Sequence, residues 1–211
     1  MSLLQRLAAD AAALGVTVSE HDAARLVTLL DELERWNRTF NLTAIKSRED
    51  MVTHHLLDSL SAHRDLQGVT VADVGTGAGF PGLPLAVVNP NRRFTLIDSN
   101  GKKVRFVSHA AHLLGLTNVE AVHGRVESLQ PSAQFDTVIS RAFAALPTML
   151  AQVAPLCGAQ TQVLAMKGRW PRDELESLPA LWRVVASRQI EVPGLDEARC
   201  VIVLRKTVPA V

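Results

Sequence analysis

Three glycines at alternate positions follow an acidic residue in a short apolar run. Gly75, Gly77 and Gly79 come after Asp73, and about twenty residues later a second apolar run ends at Asp98. The glycines predict a loop that follows a strand and whose backbone approaches a ligand closely. A carboxylate at the tip of the neighbouring strand can accept hydrogen bonds from the hydroxyl groups of a ribose. The spacing therefore predicts a binding site for a nucleoside cofactor.

The glycines can be aligned in two registers, which suggest different cofactors. A dinucleotide fingerprint, GxGxxG, could begin at Gly77, but Gly75 has already broken the strand, and Pro81 interrupts the helix start that would bind a pyrophosphate. The register that begins at Asp73 is similar to the first motif of class I S-adenosylmethionine-dependent methyltransferases. We therefore predict S-adenosylmethionine as cofactor and S-adenosylhomocysteine as product. A nicotinamide-dependent oxidoreductase is the alternative.

The elements that must position these residues alternate between strands and helices. Such alternation predicts a doubly wound, mostly parallel sheet. Two further strand-like runs are joined by a loop too short for a crossover helix, so they form an antiparallel hairpin at the end of the sheet. The predicted fold class is α/β, a Rossmann-like class I methyltransferase. The predicted strands are 69–74, 93–98, 118–122, 135–140, 161–166, 182–192 and 199–206, with helices at about 83–88, 101–114 and 143–155.

The first 65 residues have a different pattern. Apolar side chains at helical spacing predict helices over 3–14 and 20–35, and a third helix after Ser47. The segment 36–43 has no clear period. We therefore interpret residues 1–65 as an N-terminal helical extension and residues 66–211 as an S-adenosylmethionine-binding methyltransferase domain, together forming one compact unit.

Composition and residue spacing argue against a membrane-spanning, disulfide-bonded or metal-binding protein. The chain has 211 residues, of which 47% are hydrophobic and 20% charged, and it has no apolar run near the length of a membrane span. Cys157 and Cys200 lack CxxC or Cys/His spacing, which indicates buried reduced thiols. His54 and His55 are adjacent and so are poor metal ligands; a capping or packing role is expected. We expect a cytoplasmic monomer without a metal ion and without membrane contact.

The charge distribution suggests a polyanionic partner. Residues 1–65 carry 7 basic and 10 acidic side chains, whereas residues 66–211 carry 15 and 11. In an open α/β sheet, ligands bind at the carboxyl ends of the strands, and several cations follow those ends here. They favour an RNA substrate over a small molecule. A solvated helix face is the alternative for Lys103 and Arg105. The cations are Lys102, Lys103, Arg105, Arg141, Lys167 and Arg169.

Two absent motifs narrow the chemistry. No Pro-Cys dipeptide is present, so the nucleophile typical of C5-pyrimidine methylation is missing. No Asn/Asp-Pro-Pro-aromatic motif, which is typical of exocyclic-amine methylation, follows the fourth predicted strand; Ser140-Arg141-Ala142 stands there instead. The target atom therefore needs no covalent catalysis and little proton removal. Guanine N7 satisfies both conditions because it already has an in-plane lone pair.

Six motifs complete the pattern between about residues 30 and 205. They are Trp36-Asn37-x-x-Phe40-Asn41-Leu42-Thr43, His55-x-x-Asp58-Ser59, Asp73-Val74-Gly75-Thr76-Gly77-x-Gly79-x-Pro81-Gly82, Asp98-Ser99-x-x-Lys102, Ser140-Arg141-Ala142 and Lys167-Gly168. Together they resemble the RsmG (GidB) family of 16S rRNA guanine-N7 methyltransferases. The Asn-Leu-Thr segment and the Ser-Arg-Ala motif are the most distinctive.

The resemblance implies a substrate and a set of site residues. The substrate would be guanine 527 of 16S rRNA, either as RNA or in the small-subunit ribosomal particle, and the alternative is another RNA or a small molecule. Arg141 would position the reactants, without a general base. The implied RNA contacts are Lys102, Lys103, Arg105, Lys167, Arg169 and Asn41. The cofactor contacts implied by the family and the fold are Gly75, Gly77, Gly79, Phe80, Asp98, Ser99, Val126, Glu127 and Arg141.

Overall fold

The chain folds around one sheet of seven strands. The computed structural model describes residues 2–131, 133–141 and 144–207. Along the sheet the strands lie in the order β3-β2-β1-β4-β5-β7-β6, and β7 runs antiparallel to both of its neighbours. The strands are β1 (Thr70–Val74), β2 (Arg93–Asp98), β3 (Val119–His123), β4 (Phe135–Arg141), β5 (Cys157–Lys167), β6 (Trp182–Ile190) and β7 (Arg199–Lys206).

This sheet confirms the predicted fold class and the C-terminal antiparallel hairpin. Most strand boundaries agree with the prediction to within one residue. The largest difference is at β5, which begins at Cys157 rather than at 161. Its first residues pair with β4 and are stabilised by Thr161, whose hydroxyl donates to Phe135 O at 2.6 Å and accepts from Gly158 N at 2.8 Å. Residues 158–160, just before Thr161, have no strand-like period, so the sequence did not reveal that β5 begins at Cys157.

The strand order reverses beside β1, which pairs with β2 on one side and with β4 on the other. A crevice forms at such a switch point because the loops after the two neighbouring strands turn in opposite directions. The carboxyl ends of three strands meet there, at Val74, Asp98 and Arg141. The topology therefore brings the predicted cofactor loop and Arg141 to one edge of the sheet.

Helices surround the sheet and precede it. Within the N-terminal 65 residues, a π-helical segment interrupts the last long helix. The predicted start of the helix 143–155 falls on Phe143, which lies outside the described residues, as does Ala142 of the Ser-Arg-Ala motif. The α-helices are α1 (Leu3–Ala13), α2 (Glu20–Phe40), α3 (Arg48–Met51), α4 (Asp58–Leu60), α5 (Gly82–Val88), α6 (Gly101–Leu113), α7 (Leu146–Val153) and α8 (Arg172–Glu176), and the π-helical segment is Val52–Leu57.

Helix α2 is five residues longer than the predicted helix 20–35. The aperiodic segment at 36–43 begins as helix because Trp36 packs on α6: its ring centroid lies 5.6 Å from that of Phe106 and 5.2 Å from that of His109. Asn41, with φ of 49°, ends the helix in the left-handed region. Tertiary packing thus extended a helix that local periodicity could not reveal.

The N-terminal helices cover one face of the sheet. Leu26 and Leu30 of α2 belong to the same buried cluster as Leu83 of α5 and Phe106 of α6. A second buried cluster on the other face includes Leu146 of α7. In the described part of the chain, no helix combines the length and apolarity needed to cross a membrane.

Both cysteines are buried free thiols, as the sequence indicated. Burial raises the pKa of Cys157 to about 12, so its thiol is protonated and unreactive near neutrality. Among residues 2–131, 133–141 and 144–207, no group of three or more His, Cys, Asp or Glu side chains could hold a metal ion.

Candidate active site

The loop after β1 contains glycines in a backbone conformation that other residues rarely adopt. The φ angles are 69° at Gly75, 61° at Gly77 and 87° at Gly79. A Cβ added at Gly79 would lie 2.3 Å from Leu83 Cδ1, whereas one at Gly77 would meet nothing closer than Lys103 Nζ at 3.9 Å. Gly79 therefore allows the loop to pack on α5, and Gly77 faces open space at the edge of the sheet.

The side chain of Asp73 holds this loop in place through hydrogen bonds. Its side chain is fully buried, and Oδ2 accepts hydrogen bonds from Thr76 Oγ1 at 2.6 Å and Gly82 N at 2.8 Å. Among the described residues Oδ1 has no hydrogen-bond partner. Burial raises the pKa of Asp73 to about 6, despite these two hydrogen bonds. The acidic residue of the motif therefore acts as an internal support for the glycine loop.

Asp98 joins the glycine loop to the next turn. Its Oδ2 accepts from Gly77 N at 2.9 Å, and its Oδ1 accepts from Asn100 N at 2.8 Å. Each carboxylate oxygen has a second lone pair, so both can still accept hydrogen bonds from a ligand. The carboxylate is thus held in place at the strand end where the sequence predicts contact with a ribose.

A cavity of about 380 Å³ lies between the loops that follow β1, β2 and β3. Val126 is buried at its wall, while Ser99 and Glu127 are exposed at its rim. Gln152 Nε2 of α7 donates to Glu127 Oε1 at 3.2 Å and so orients this carboxylate. We call this space the cofactor cavity. Of the predicted cofactor contacts, Gly75, Asp98, Ser99, Val126 and Glu127 line it.

Phe80 directly follows Gly79, and its ring stacks on that of His55 with centroids 4.5 Å apart. His55 is buried, and its Nε2 lies 3.0 Å from Thr43 Oγ1. Burial and the neighbouring Arg141 lower the pKa of His55 to about 3. The ring is therefore neutral at physiological pH, in keeping with a packing role.

Arg141 ends β4 and is held by the N-terminal extension. Its Nη1 donates to Asp58 Oδ2 at 2.8 Å and to the carbonyl oxygen of His54 at 2.7 Å. The amide of Asp58 donates to the carbonyls of Thr53 and His55 rather than to that of His54, as the π-helical geometry allows. The guanidinium carbon also lies 5.9 Å from the centre of the Phe80 ring. Arg141 therefore connects the extension with the glycine loop.

Asp58 binds a second arginine. Its Oδ1 accepts from Arg199 Nε at 3.2 Å, at the start of β7, and only 3% of the surface of Asp58 is exposed. A second cavity of about 380 Å³ lies beside this ion-paired group. We call it the acceptor-side cavity. It is lined by Ile45, His54, His55, Asp58, Arg141, Met166, Lys167, Gly168, Ile190, Arg199 and Cys200.

Sequence comparison identifies the protein family to which this chain belongs. The profile of the GidB family, described as rRNA small subunit methyltransferase G, matches residues 22–203. A relative named ribosomal RNA small subunit methyltransferase G from Idiomarina loihiensis is 44% identical over 191 residues, which cover 90% of this chain and 93% of the relative. A relative of the same name from Nitrosococcus oceani is 46% identical over 192 residues, with coverage of 91% and 90%.

The chain belongs to the GidB family.

Solved structures agree with the class I methyltransferase fold of this GidB-family protein. A SAM-dependent methyltransferase from Aquifex aeolicus superposes with a TM-score of 0.58 at 20% identity, covering 78% of this chain and 97% of that one. A SAM-dependent methyltransferase from Thiobacillus denitrificans in complex with S-adenosyl-L-homocysteine gives a TM-score of 0.54 at 14% identity, covering 84% and 98%. At these identities the likeness concerns the fold alone.

Both solved structures are named as SAM-dependent methyltransferases, and the register beginning at Asp73 predicts S-adenosylmethionine for this chain. The cofactor cavity fits such a molecule. The absence of a side chain at Gly77 leaves the backbone accessible, and Asp98 supplies oxygens for ribose hydroxyls. The carboxylates of Asp98 and Glu127 also match the positive charge of the sulfonium and the methionine ammonium.

The predicted RNA contacts of this GidB-family protein occupy different environments. Lys102 and Arg105 are exposed on α6, and Arg169 is exposed after β5. Lys167 is largely enclosed: its Nζ donates to Ala144 O at 2.9 Å and to Glu174 Oε2 at 2.8 Å.

Two further predicted RNA contacts lie elsewhere. Lys103 is half-buried at the cofactor cavity. Asn41 is exposed in a separate cavity with Arg38 and Lys46. The six predicted RNA contacts therefore do not form one cluster.

The sequence reasoning missed the roles of Asp58 and Arg199. Asp58 stood in one of the quoted GidB-family motifs, yet nothing in its local pattern indicated a buried partner for Arg141. Arg199 is 141 residues from Asp58 in the chain, so neither spacing nor periodicity could connect them. A buried carboxylate in an apolar helix segment was the available signal, since such a group requires cationic partners.

Proposed function

We propose that this protein transfers the methyl group of S-adenosylmethionine to N7 of guanine 527 in 16S rRNA. The relatives' name, ribosomal RNA small subunit methyltransferase G, supports the small-subunit rRNA as substrate. The observation that carries the proposal is the pair of cavities at the carboxyl edge of the sheet, one lined by Gly75 and Asp98 and the other by Arg141 and Asp58, which could each hold one reactant. Another RNA or a small molecule as acceptor remains the second candidate, and the experiments below separate the two.

The proposed chemistry places few demands on acid–base groups. S-adenosylmethionine supplies the methyl group as an electrophilic sulfonium, and guanine N7 presents a lone pair without a proton to remove. His55 borders the acceptor-side cavity, but its pKa of about 3 leaves it neutral and its Nε2 lies against Thr43. The site residues therefore have mainly to align the two reactants.

Alignment can account for a large part of the rate enhancement. Holding two reactants in line and in contact lowers the barrier by roughly 7–11 kcal/mol. Here the glycine loop and Asp98 would fix the cofactor, and Arg141 would set the approach of the base. Three groups hold Arg141 in one orientation, namely Asp58, the His54 carbonyl and the Phe80 ring. The target guanine must leave its stack to reach the site, which favours a guanine in a loop.

The proposed RNA surface combines exposed cations from two strand ends. Lys102 and Arg105 follow β2, and Arg169 follows β5. Lys103, Lys167 and Asn41 remain proposed contacts, with Lys167 requiring release from Glu174 before it could bind a phosphate. Contacts of this kind would position the RNA through its backbone rather than select a sequence.

Mapping of 7-methylguanosine in 16S rRNA tests the proposal directly. Cells lacking this protein should lose the modification at one guanine, and the wild-type gene should restore it. The purified protein should methylate 16S rRNA or small-subunit particles in a methyl-transfer assay with S-adenosylmethionine. An unchanged modification map would contradict the proposed substrate, and methylation of a metabolite extract in place of RNA would favour the second candidate.

A further inference from the structure

The acceptor-side cavity has the composition of a site for a flat, polar-edged ligand. Ile45, Met166 and Ile190 provide apolar walls, and the charged groups Asp58 and Arg141 converge at one end, with Arg199. Small-ligand sites typically combine apolar walls with a few fixed polar groups. A nucleobase has the matching form, because its faces are apolar and its edge carries hydrogen-bonding groups.

The charged end of this cavity provides hydrogen-bond donors with a fixed orientation. Asp58 binds both guanidinium groups, so the three side chains together carry one net positive charge. Arg141 uses Nη1 for Asp58 and for the His54 carbonyl, and a guanidinium has five N–H donors in all. Its contact with the Phe80 ring places Arg141 on the side of the glycine loop. Arg141 therefore lines this cavity and also contacts the segment that follows the glycines.

We propose that the acceptor-side cavity binds the target base and that Arg141 donates a hydrogen bond to guanine O6. This inference rests on the proposed guanine-N7 methylation. Guanine presents O6 and N7 as adjacent acceptors on one edge, whereas adenine has an amino donor in place of O6. A donor to O6 thus selects guanine over adenine and leaves N7 free to react. Asp58 acts as a positioning residue, because it holds Arg141 in the required orientation.

The test combines one variant with one base analogue. Wild-type protein and Arg141→Met are assayed on 16S rRNA fragments with guanine or 2-aminopurine, which lacks O6, at the target position. The intrinsic difference between the two bases is measured with dimethyl sulfate. Relative to that difference, the wild type should prefer guanine by roughly 5- to 150-fold in kcat/KM, the range of one good base-edge contact. In Arg141→Met the preference should return to the intrinsic ratio.

Three further measurements keep the outcomes distinct. Hypoxanthine, which retains O6 but lacks the 2-amino group, should remain a good wild-type substrate, and Asp58→Asn should weaken the preference for guanine. A cooperative thermal unfolding transition, followed by circular dichroism, identifies variants that fold. An equal loss on both bases in Arg141→Met, or a wild type with only the intrinsic ratio, would overturn the role of Arg141. A wild type that methylates no RNA would instead refute the proposed function, and this inference with it.

Discussion

The stability of the protein should depend on pH through His55. The folded pKa of this ring is about 3, below the ordinary value of 6.5. As the pH falls below 6.5, the unfolded chain takes up a proton at His55 while the native ring stays neutral. Stability that is fully present above pH 6.5 is therefore lost progressively as the pH falls towards 3.

The size of this effect follows from the two pKa values. One pKa unit corresponds to about 1.4 kcal/mol, so lowering the pH from 7 to 5 should cost about 2 kcal/mol through His55. Asp73 acts in the opposite direction, because its pKa is raised from 3.8 to about 6. The native state binds that proton more tightly than the unfolded chain, which adds about 1 kcal/mol of stability over the same range. The effects of the two groups on the free energy of unfolding therefore partly cancel in the wild type.

Single substitutions should reveal the two contributions. Urea unfolding at pH 7 and pH 5 gives the change in free energy of unfolding for each protein. His55→Gln should lose about 2 kcal/mol less than the wild type, and Asp73→Asn about 1 kcal/mol more. His54→Gln is the matched control, since His54 is the neighbouring residue and lies half-exposed near Glu197. The reasoning fails if His55→Gln and the wild type respond to pH alike.

Three other predictions concern the cofactor loop, Arg141 and the RNA surface. Arg141→Ala should lower kcat/KM for RNA methylation by roughly 100-fold, because the reactants lose their alignment, while calorimetry still detects S-adenosylhomocysteine binding. Gly79→Ala should lower the free energy of unfolding by more than the ~1–2 kcal/mol expected for Gly77→Ala, since of the two only a Cβ at Gly79 would clash with a neighbouring side chain, that of Leu83. Gly77→Ala should mainly weaken S-adenosylhomocysteine binding. Lys102→Gln should reduce the slope of log RNA affinity against log salt by roughly 0.7, whereas Lys167→Gln should mainly lower thermal stability.

Each of these predictions has a clear contrary result. Wild-type turnover in Arg141→Ala would remove that residue from the site. Equal stability of the two glycine variants would show that the contact with Leu83 relaxes without cost. A salt slope that falls as much for Lys167→Gln as for Lys102→Gln would show that the bond to Glu174 opens when RNA binds.

The sequence predicted the sheet well because strands such as β1, β4 and β7 are largely buried apolar runs. Their apolar runs are bounded by glycine, proline or charged residues, and five of the predicted cofactor contacts line one cavity. The alternation of strands and helices also determined which strand ends lie together. Gly75 and Asp98 were predicted from this pattern and topology, whereas Val126 and Glu127 were predicted from the family resemblance.

The remaining features depend on contacts between distant residues. Trp36 continues α2 because it packs on α6, and no local period records that contact. Asp58 and Arg141 are 83 residues apart, so their ion pair is visible only in three dimensions. Lys167 looked like a surface cation in the sequence, yet Glu174 holds its ammonium group. Local pattern shows which residues reach the edge of the sheet, but not which of them already have partners.

The π-helical turn at Val52–Leu57 makes this part of the chain sensitive to length as well as to residue type. A π turn holds one residue more than an α-helical turn. Deleting one residue within it would restore ordinary helix and leave the following residues in nearly the same orientation, because a π turn is the form in which a helix accommodates one inserted residue. The carbonyl oxygens of the turn would then be paired within the helix again. Arg141 would lose the His54 carbonyl as an acceptor, although every charged side chain of the site would still be present. A one-residue deletion here should therefore loosen Arg141 while the fold is kept.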